Sequence, residues 1–199
     1  MSPLNPTIST HRRPAIALLI ASISLSIVAA PAPAALSLVW SDEFDGDSLD
    51  LDNWTIDIGD GCPDLCGWGN NELQYYRPEN VSVEDGHLVL TARQEFYGGR
   101  AFTSGKVHTR NKQSFLYGRI EMRAKIPTGG GMWPAFWMMP QDDAYGGWAA
   151  SGEIDVMEST NATTSVSGTL HFGGSWPNNV YSGGSYSLGG ANFADAFHV

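Results

Sequence analysis

The sequence predicts an all-β protein, an antiparallel sandwich or barrel, and three observations carry that reading. From Leu36 onward no stretch sets apolar residues at the three-and-four spacing of an amphipathic helix. Short runs of alternating apolar and polar residues are instead separated by Gly, Asn, Asp and Pro, the punctuation of hairpins. Composition agrees: 23 Gly, 11% aromatic and only 16% charged residues suit a turn-rich sheet protein, whereas a helical bundle needs more Ala, Glu, Lys and Leu.

The first 34 residues stand apart from that pattern. Arg12 and Arg13 precede an apolar run from Ala15 to Ala30, and Ala32-Pro33-Ala34 supplies the small residues of a cleavage site, so residues 1–34 read as a secretory signal peptide. The alternative is a membrane anchor, but about 16 residues interrupted by serines fall short of the ~20 that a spanning helix needs. Residues 35–199 show no internal repeat or long linker and read as one domain. A secreted, extracellular monomer, free of the membrane after cleavage, is expected. In an oxidising compartment Cys62 and Cys66, the only cysteines, most simply form one small disulfide. Two thiolates alone leave zinc under-ligated. Closing so short a ring stabilises by about 2 kcal/mol at most, so it pins a loop.

The strands follow in order. Val81-Ser82-Val83, the turn Glu84-Asp85-Gly86 and His87 to Thr91 read as a hairpin. From Tyr117 to Ile126, Ile120, Met122, Ala124 and Ile126 share one face, with Arg119, Glu121, Arg123 and Lys125 on the other. Trp133 to Met139 reads as a strand with Trp133 and Trp137 on one side, although Pro134 confines it to an edge or a start. Ser167, Thr169 and His171 oppose Val166, Gly168, Leu170 and Phe172. Each such strand has an apolar face for a core and a polar face for something else. Asn53, Asn80 and Asn161 head N-glycan sequons.

Charge narrows the partner. A net charge of −10 argues against nucleic acid or an anionic membrane surface, which recruit clustered Lys and Arg, and leaves neutral ligands. Asp42 to Asp52 lacks the ligand spacing of an EF-hand, and Gly129-Gly130-Gly131 lacks the Lys and helix of a phosphate loop, so no cofactor is required.

The polar face carries chemistry at Ser151-Gly152-Glu153-Ile154-Asp155-Val156-Met157-Glu158. Glu153 and Asp155, two apart, project from the same side of a strand. Glu158, five on from Glu153, would point into the core of a regular strand, where an unpaired carboxylate is prohibitively costly. One extra residue around Val156-Met157, a β-bulge, restores its direction at little cost. Glu153 and Glu158 then lie about 13 Å apart at Cα, close enough for leaning side chains to reach the ~5 Å carboxyl separation of a retaining glycosidase. Three crowded carboxylates retain a proton near neutrality, giving a charged nucleophile beside a protonated acid. The bland alternative is a solvated acidic edge strand, against which the interleaved Ile154, Val156 and Met157 speak.

Gly152 to Glu158 resembles the active-site strand of glycoside hydrolase family 16 in the bulged form of its laminarinase-like (endo-β-1,3-glucanase) branch. Asp42-Glu-Phe-Asp-Gly46, Trp68 to Tyr76, Thr103 to Lys106, Tyr117 to Arg123, Trp133 to Trp137 and Gly168 to His171 resemble that family in the same order. The resemblance implies a concanavalin A-like β-jelly-roll sandwich that holds a β-glucan polysaccharide on its concave face. It implies Glu153 as nucleophile, Glu158 as general acid and base, and Asp155 as the keeper of their protonation. It implies sugar contacts for Asn71, Glu121 and Arg123, a histidine near the acids at His171, and in some members a structural calcium near positions resembling Glu43 and Gly86, for which the ligand set here is incomplete. Trp133 and Trp137 suit stacking on pyranose faces, with burial in the core as the alternative; His171 has a purely structural role as its own. The family continues beyond Phe197-His198-Val199 into further strands, so a partial catalytic domain with open edges and a partly open core is expected. Within this branch the expected activity is retaining, endo-acting cleavage of β-1,3-glucan; a mixed-linkage β-1,3-1,4-glucanase and a non-catalytic glucan-binding module are the rivals.

Overall fold

Ten short strands follow one another along the chain in the computed structural model, which describes residues 36–161 and 163–199. They are β1 (Thr55–Ile56), β2 (Gln74–Tyr76), β3 (Val81–Glu84), β4 (His87–Leu90), β5 (Phe102–Ser104), β6 (Val107–His108), β7 (Ala135–Met138), β8 (Glu153–Glu158), β9 (Ser165–Phe172) and β10 (Val180–Ser187). Among the described residues the helical content is two 3₁₀ turns, Cys66–Gly69 and Pro78–Asn80. Residues 38–199 form one unit. The signal-peptide reading, residues 1–34, lies outside the described residues.

β7 to β10 form one antiparallel sheet in the order β10-β9-β8-β7, and this sheet carries the acids. β3 and β4 make the expected hairpin, with Val81 facing Leu90 and Glu84 facing His87. Asp85 and Gly86 both take positive φ, 51° and 72°. That is the requirement of the two-residue turn whose twist matches its strands. β1 pairs with β6 antiparallel, but β2 and β5 run parallel, a departure from the purely antiparallel expectation. The intervening residues 77–101 supply the long crossover that parallel neighbours need.

The segment Tyr117 to Ile126 departs from expectation differently. Its faces are as read: Ile120, Met122 and Ala124 are half-buried and Ile126 buried, while Glu121, Arg123 and Lys125 are exposed. Among the described residues it forms no ladder, however: its backbone is held by an Ala124–His198 bridge and an Ile126 N–H to Phe193 carbonyl bond of 3.3 Å. Burial of alternate side chains sets a strand's faces, whereas a ladder needs a second backbone alongside.

The apolar face of the large sheet is also not the core foreseen for it. Ile154 and Leu170 face each other across β8 and β9, and Phe172 faces Val180 across β9 and β10, yet all four are exposed. Among the described residues the buried apolar side chains are Leu49, Ile126, Ala149 and Phe193. Cys62 and Cys66 are disulfide-bonded, with Cα atoms 4.1 Å apart. The loop they close is tied down by Asp60, which accepts from the Cys62 N–H (3.1 Å) and from Arg100 (2.9 Å). Asn80 is corrected as a glycan acceptor: it is 1% exposed, and its Nδ2 donates to the Thr91 carbonyl and to Thr103 Oγ1. No helix among the described residues is long and apolar enough to cross a membrane.

Candidate active site

β8 is built around the extra residue that the acidic spacing demands. On the β9 side Glu153 faces His171, Asp155 faces Thr169, and Glu158 faces Ser167, so three steps on β8 oppose two on β9. On the β7 side, Met157 faces Phe136 and Asp155 faces Trp137. Both ladders place the bulge at Val156-Met157. Parity is thereby restored, and Glu153, Asp155 and Glu158 share one face with Ser167, Thr169 and His171.

Each glutamate is gripped by an indole. Trp133 Nε1 donates to Glu158 Oε1 at 2.9 Å, and Trp148 Nε1 donates to Glu153 Oε2. An indole N–H can only donate, so each bond orients a carboxyl oxygen that accepts. Trp133 reaches Glu158 because pairing runs on past β7: the Ser159 N–H donates to the Pro134 carbonyl at 3.1 Å. Pro134 sits just before β7, where its missing N–H breaks no ladder.

Asp155 lies between the glutamates and is 6% exposed. Burial pushes its carboxyl above the ordinary aspartate value, and the charge of Glu153 pushes the same way, against a smaller opposing pull from His171. His171 Nε2 lies 3.2 Å from Asp155 Oδ2, while its Nδ1 is buried with no protein partner.

Trp133 and Trp137 are 49% and 38% exposed. Trp137 faces Asp155 across the ladder, and the Lys106 ammonium lies 5.2 Å from its ring centroid while also 4.2 Å from that of Trp68. Lys106 is fixed in turn by Asp57 at 3.2 Å. The structure thus brings together Glu153, Asp155, Glu158, His171, Trp133 and Trp137. The other expected sugar contacts are engaged elsewhere: Glu121 pairs with Arg119 at 2.7 Å, and Arg123 covers the Phe197 ring at 4.3 Å. Asn71 is exposed in a turn with φ of 58°, beside a hollow lined by Cys66, Glu72 and Arg100. Sequence reasoning misses Trp148 and Lys106. Trp148 sits five residues before Glu153 in a glycine-flanked turn, and only its ring contact with His171 (5.5 Å) and its bond to Glu153 reveal it.

No group of three or more His, Cys, Asp or Glu side chains among the described residues is disposed to hold a metal ion.

Known proteins are similar to this chain in sequence and in fold. The family described as beta-glucan synthesis-associated protein SKN1/KRE6/Sbg1 matches residues 24–167. A glucan endo-1,3-beta-glucosidase A1 of Niallia circulans is 47% identical over 191 residues, covering 89% of this chain and 28% of its own. A beta-glucanase of Rhodothermus marinus is 48% identical over 141 residues, covering 67% of this chain and 48% of its own. The chain thus spans about half, or less, of the curated relatives' length. The solved catalytic domain of an endo-1,3-beta-glucanase (laminarinase) from Thermotoga petrophila superposes with a TM-score of 0.74 at 41% identity, over 81% of this chain and 67% of that one. On fold, site strand and these likenesses together, the chain belongs to glycoside hydrolase family 16, in its laminarinase-like branch.

Proposed function

We propose that this chain carries the catalytic face of an exported, endo-acting hydrolase of β-1,3-glucan that works with retention of configuration. The bulge at Val156-Met157 is the observation that supports it most, because it gathers two indole-held glutamates and a raised-pKa aspartate on one open face. Glu153 attacks the anomeric carbon while Glu158 protonates the departing glycosidic oxygen, leaving a glycosyl ester on Glu153. Glu158, now ionised, takes a proton from water as that water displaces Glu153 from the same anomeric carbon. Two inversions give net retention. Asp155 lies between the glutamates with its carboxyl held above the ordinary aspartate value by burial and by the charge of Glu153, so it can take up or give back a proton as the charge on Glu153 changes through the cycle. No step passes through a metal, and a monomer suffices.

The test is Glu153→Gln against the parent chain on laminarin, lichenan and a galactan. The variant should lose at least ~1000-fold in sugar release while still binding laminarin. Proton NMR of the parent's first products should show the β-anomer before mutarotation. Faster release from lichenan than from laminarin would move the substrate to mixed-linkage glucan. Equal release by parent and variant, or binding without release by a folded parent, would replace the enzyme with a glucan-binding module.

A further inference from the structure

We infer that Lys106 is a positioning residue for the hydrolysis: its ammonium, held by Asp57, Trp68 and Tyr76, fixes the indole of Trp137 beside the acids. The inference rests on the glucan-hydrolase reading above and adds to it a residue that acts without touching the substrate. Asp57 and Lys106 carry the β1–β6 pairing one step further, the Asp57 N–H donating to the Lys106 carbonyl at 2.9 Å. Opposed residues project from one face, so carboxylate and ammonium meet, at 3.2 Å. The same carboxylate lies 3.4 Å from His108 Nε2, while His108 Nδ1 accepts the Arg110 N–H at 3.2 Å. A ring nitrogen that accepts carries no proton, which places the His108 proton on Nε2, toward Asp57. Asp57 is thereby braced by two partners, and it holds Lys106 in one place.

Three aromatic rings close round the ammonium. Lys106 Nζ lies 4.2 Å from the ring centroid of Trp68, 5.2 Å from that of Trp137 and 5.6 Å from that of Tyr76. All three fall within the ~6 Å over which a cation is drawn to a ring face. The Lys106 and Asp57 side chains are mostly withdrawn from water, which strengthens both the ion pair and the ring contacts. Two of the rings are anchored on their own account. Trp68 lies in the 3₁₀ turn that starts at the disulfide-bonded Cys66, and the Tyr76 hydroxyl donates to Glu72 at 2.8 Å.

Trp137 is the ring with freedom to lose. It stands exposed on β7, the edge strand of the large sheet, on the face it shares with Asp155. Among the described residues β7 has a ladder partner in β8 alone, and Lys106 reaches the Trp137 ring from a different sheet. A neutral side chain of the same length would fill the space without aligning the indole, because the attraction depends on charge over the ring face. Bond making belongs to Glu153 and Glu158, so a loosened Trp137 weakens binding more than chemistry.

Lys106→Met, Trp137→Ala, their combination and Lys106→Arg would be compared with the parent chain. Because Lys106→Met leaves Asp57 without its cation, the pair Lys106→Met with Asp57→Asn is made alongside and should behave the same. In nitrogen-15 NMR the Trp137 indole N–H, identified by its loss in Trp137→Ala, should become more mobile in Lys106→Met, its heteronuclear NOE falling; in Lys106→Arg it should stay as rigid as in the parent. On laminarin, Lys106→Met should raise KM roughly three- to tenfold with kcat within about twofold of the parent, and Lys106→Arg should restore KM. In the Trp137→Ala background Lys106→Met should raise KM no further, since a residue acting through another has nothing left to act on. An equally rigid indole in parent and Lys106→Met, or two losses that multiply in the combined variant, would overturn the role of Lys106 while leaving the hydrolase intact. A parent chain that neither cuts nor binds laminarin would overturn both.

Discussion

At the scale of single residues, Asp155 is where burial and charge meet. Its carboxyl is shielded from water and lies beside Glu153, so its proton is held to higher pH than in the unfolded chain. Between the unfolded value of ~3.9 and the raised folded value, the native state binds more protons than the unfolded state. The stabilising contribution of this group is therefore complete below pH ~3.9 and is lost as pH rises through the folded value. Asp155→Asn, always neutral, lacks that loss. Urea denaturation of both proteins at pH 3.5 and pH 7 should show the variant gaining on the parent at the higher pH. The same variant should be catalytically impaired, because an amide cannot titrate beside Glu153. An equal stability difference at both pH values would show that Asp155 carries no shifted proton.

The decisive element is β8, and its parity can be tested by length. Deleting Met157 removes the extra residue and leaves Glu153 and the final glutamate four steps apart in a regular strand, still on one face. Inserting one alanine after Met157 makes that separation six and restores the even count, but with two surplus residues facing β9. Replacing the pair Val156-Met157 by Val156-Ala-Ala-Met157 gives seven and turns the last acid to the apolar face. Activity on laminarin should survive deletion in part and vanish, by at least ~1000-fold, in the seven-step variant. Full activity in that variant would mean that the bulge does not orient Glu158. This element is legible in the sequence because an ionisable side chain at a core position forces a choice between costly burial and a bulge. The His171 side of the site is legible for a similar reason, since alternation along β9 fixes its face. Trp148 is not legible: its place follows from how a glycine-rich turn folds back over β9, and no periodicity records that path. Lys106 is hidden likewise, its ring contacts being made across elements distant in sequence.

At the scale of the molecule, periodicity tells which face of a sheet is apolar but not what lies against it. Alternation along β9 marks the side of Leu170 and Phe172 as a buried face, and the described residues leave it open, together with the paired Ile154 and Val180. The segment Tyr117 to Ile126 makes the same point, with correct faces and no ladder. A sheet that buries its apolar face on one side only weakly gives up little surface protection on unfolding, and denaturant sensitivity scales with the surface newly exposed. The chain should consequently bind the dye ANS at neutral pH under native conditions and unfold in urea with a shallow slope for its length. Leu170→Thr with Phe172→Thr should cut the dye signal while leaving the far-ultraviolet sheet spectrum intact, because both residues sit on β9 with polar partners on the opposite face. A steep urea transition without dye binding would instead show that this face is covered in solution.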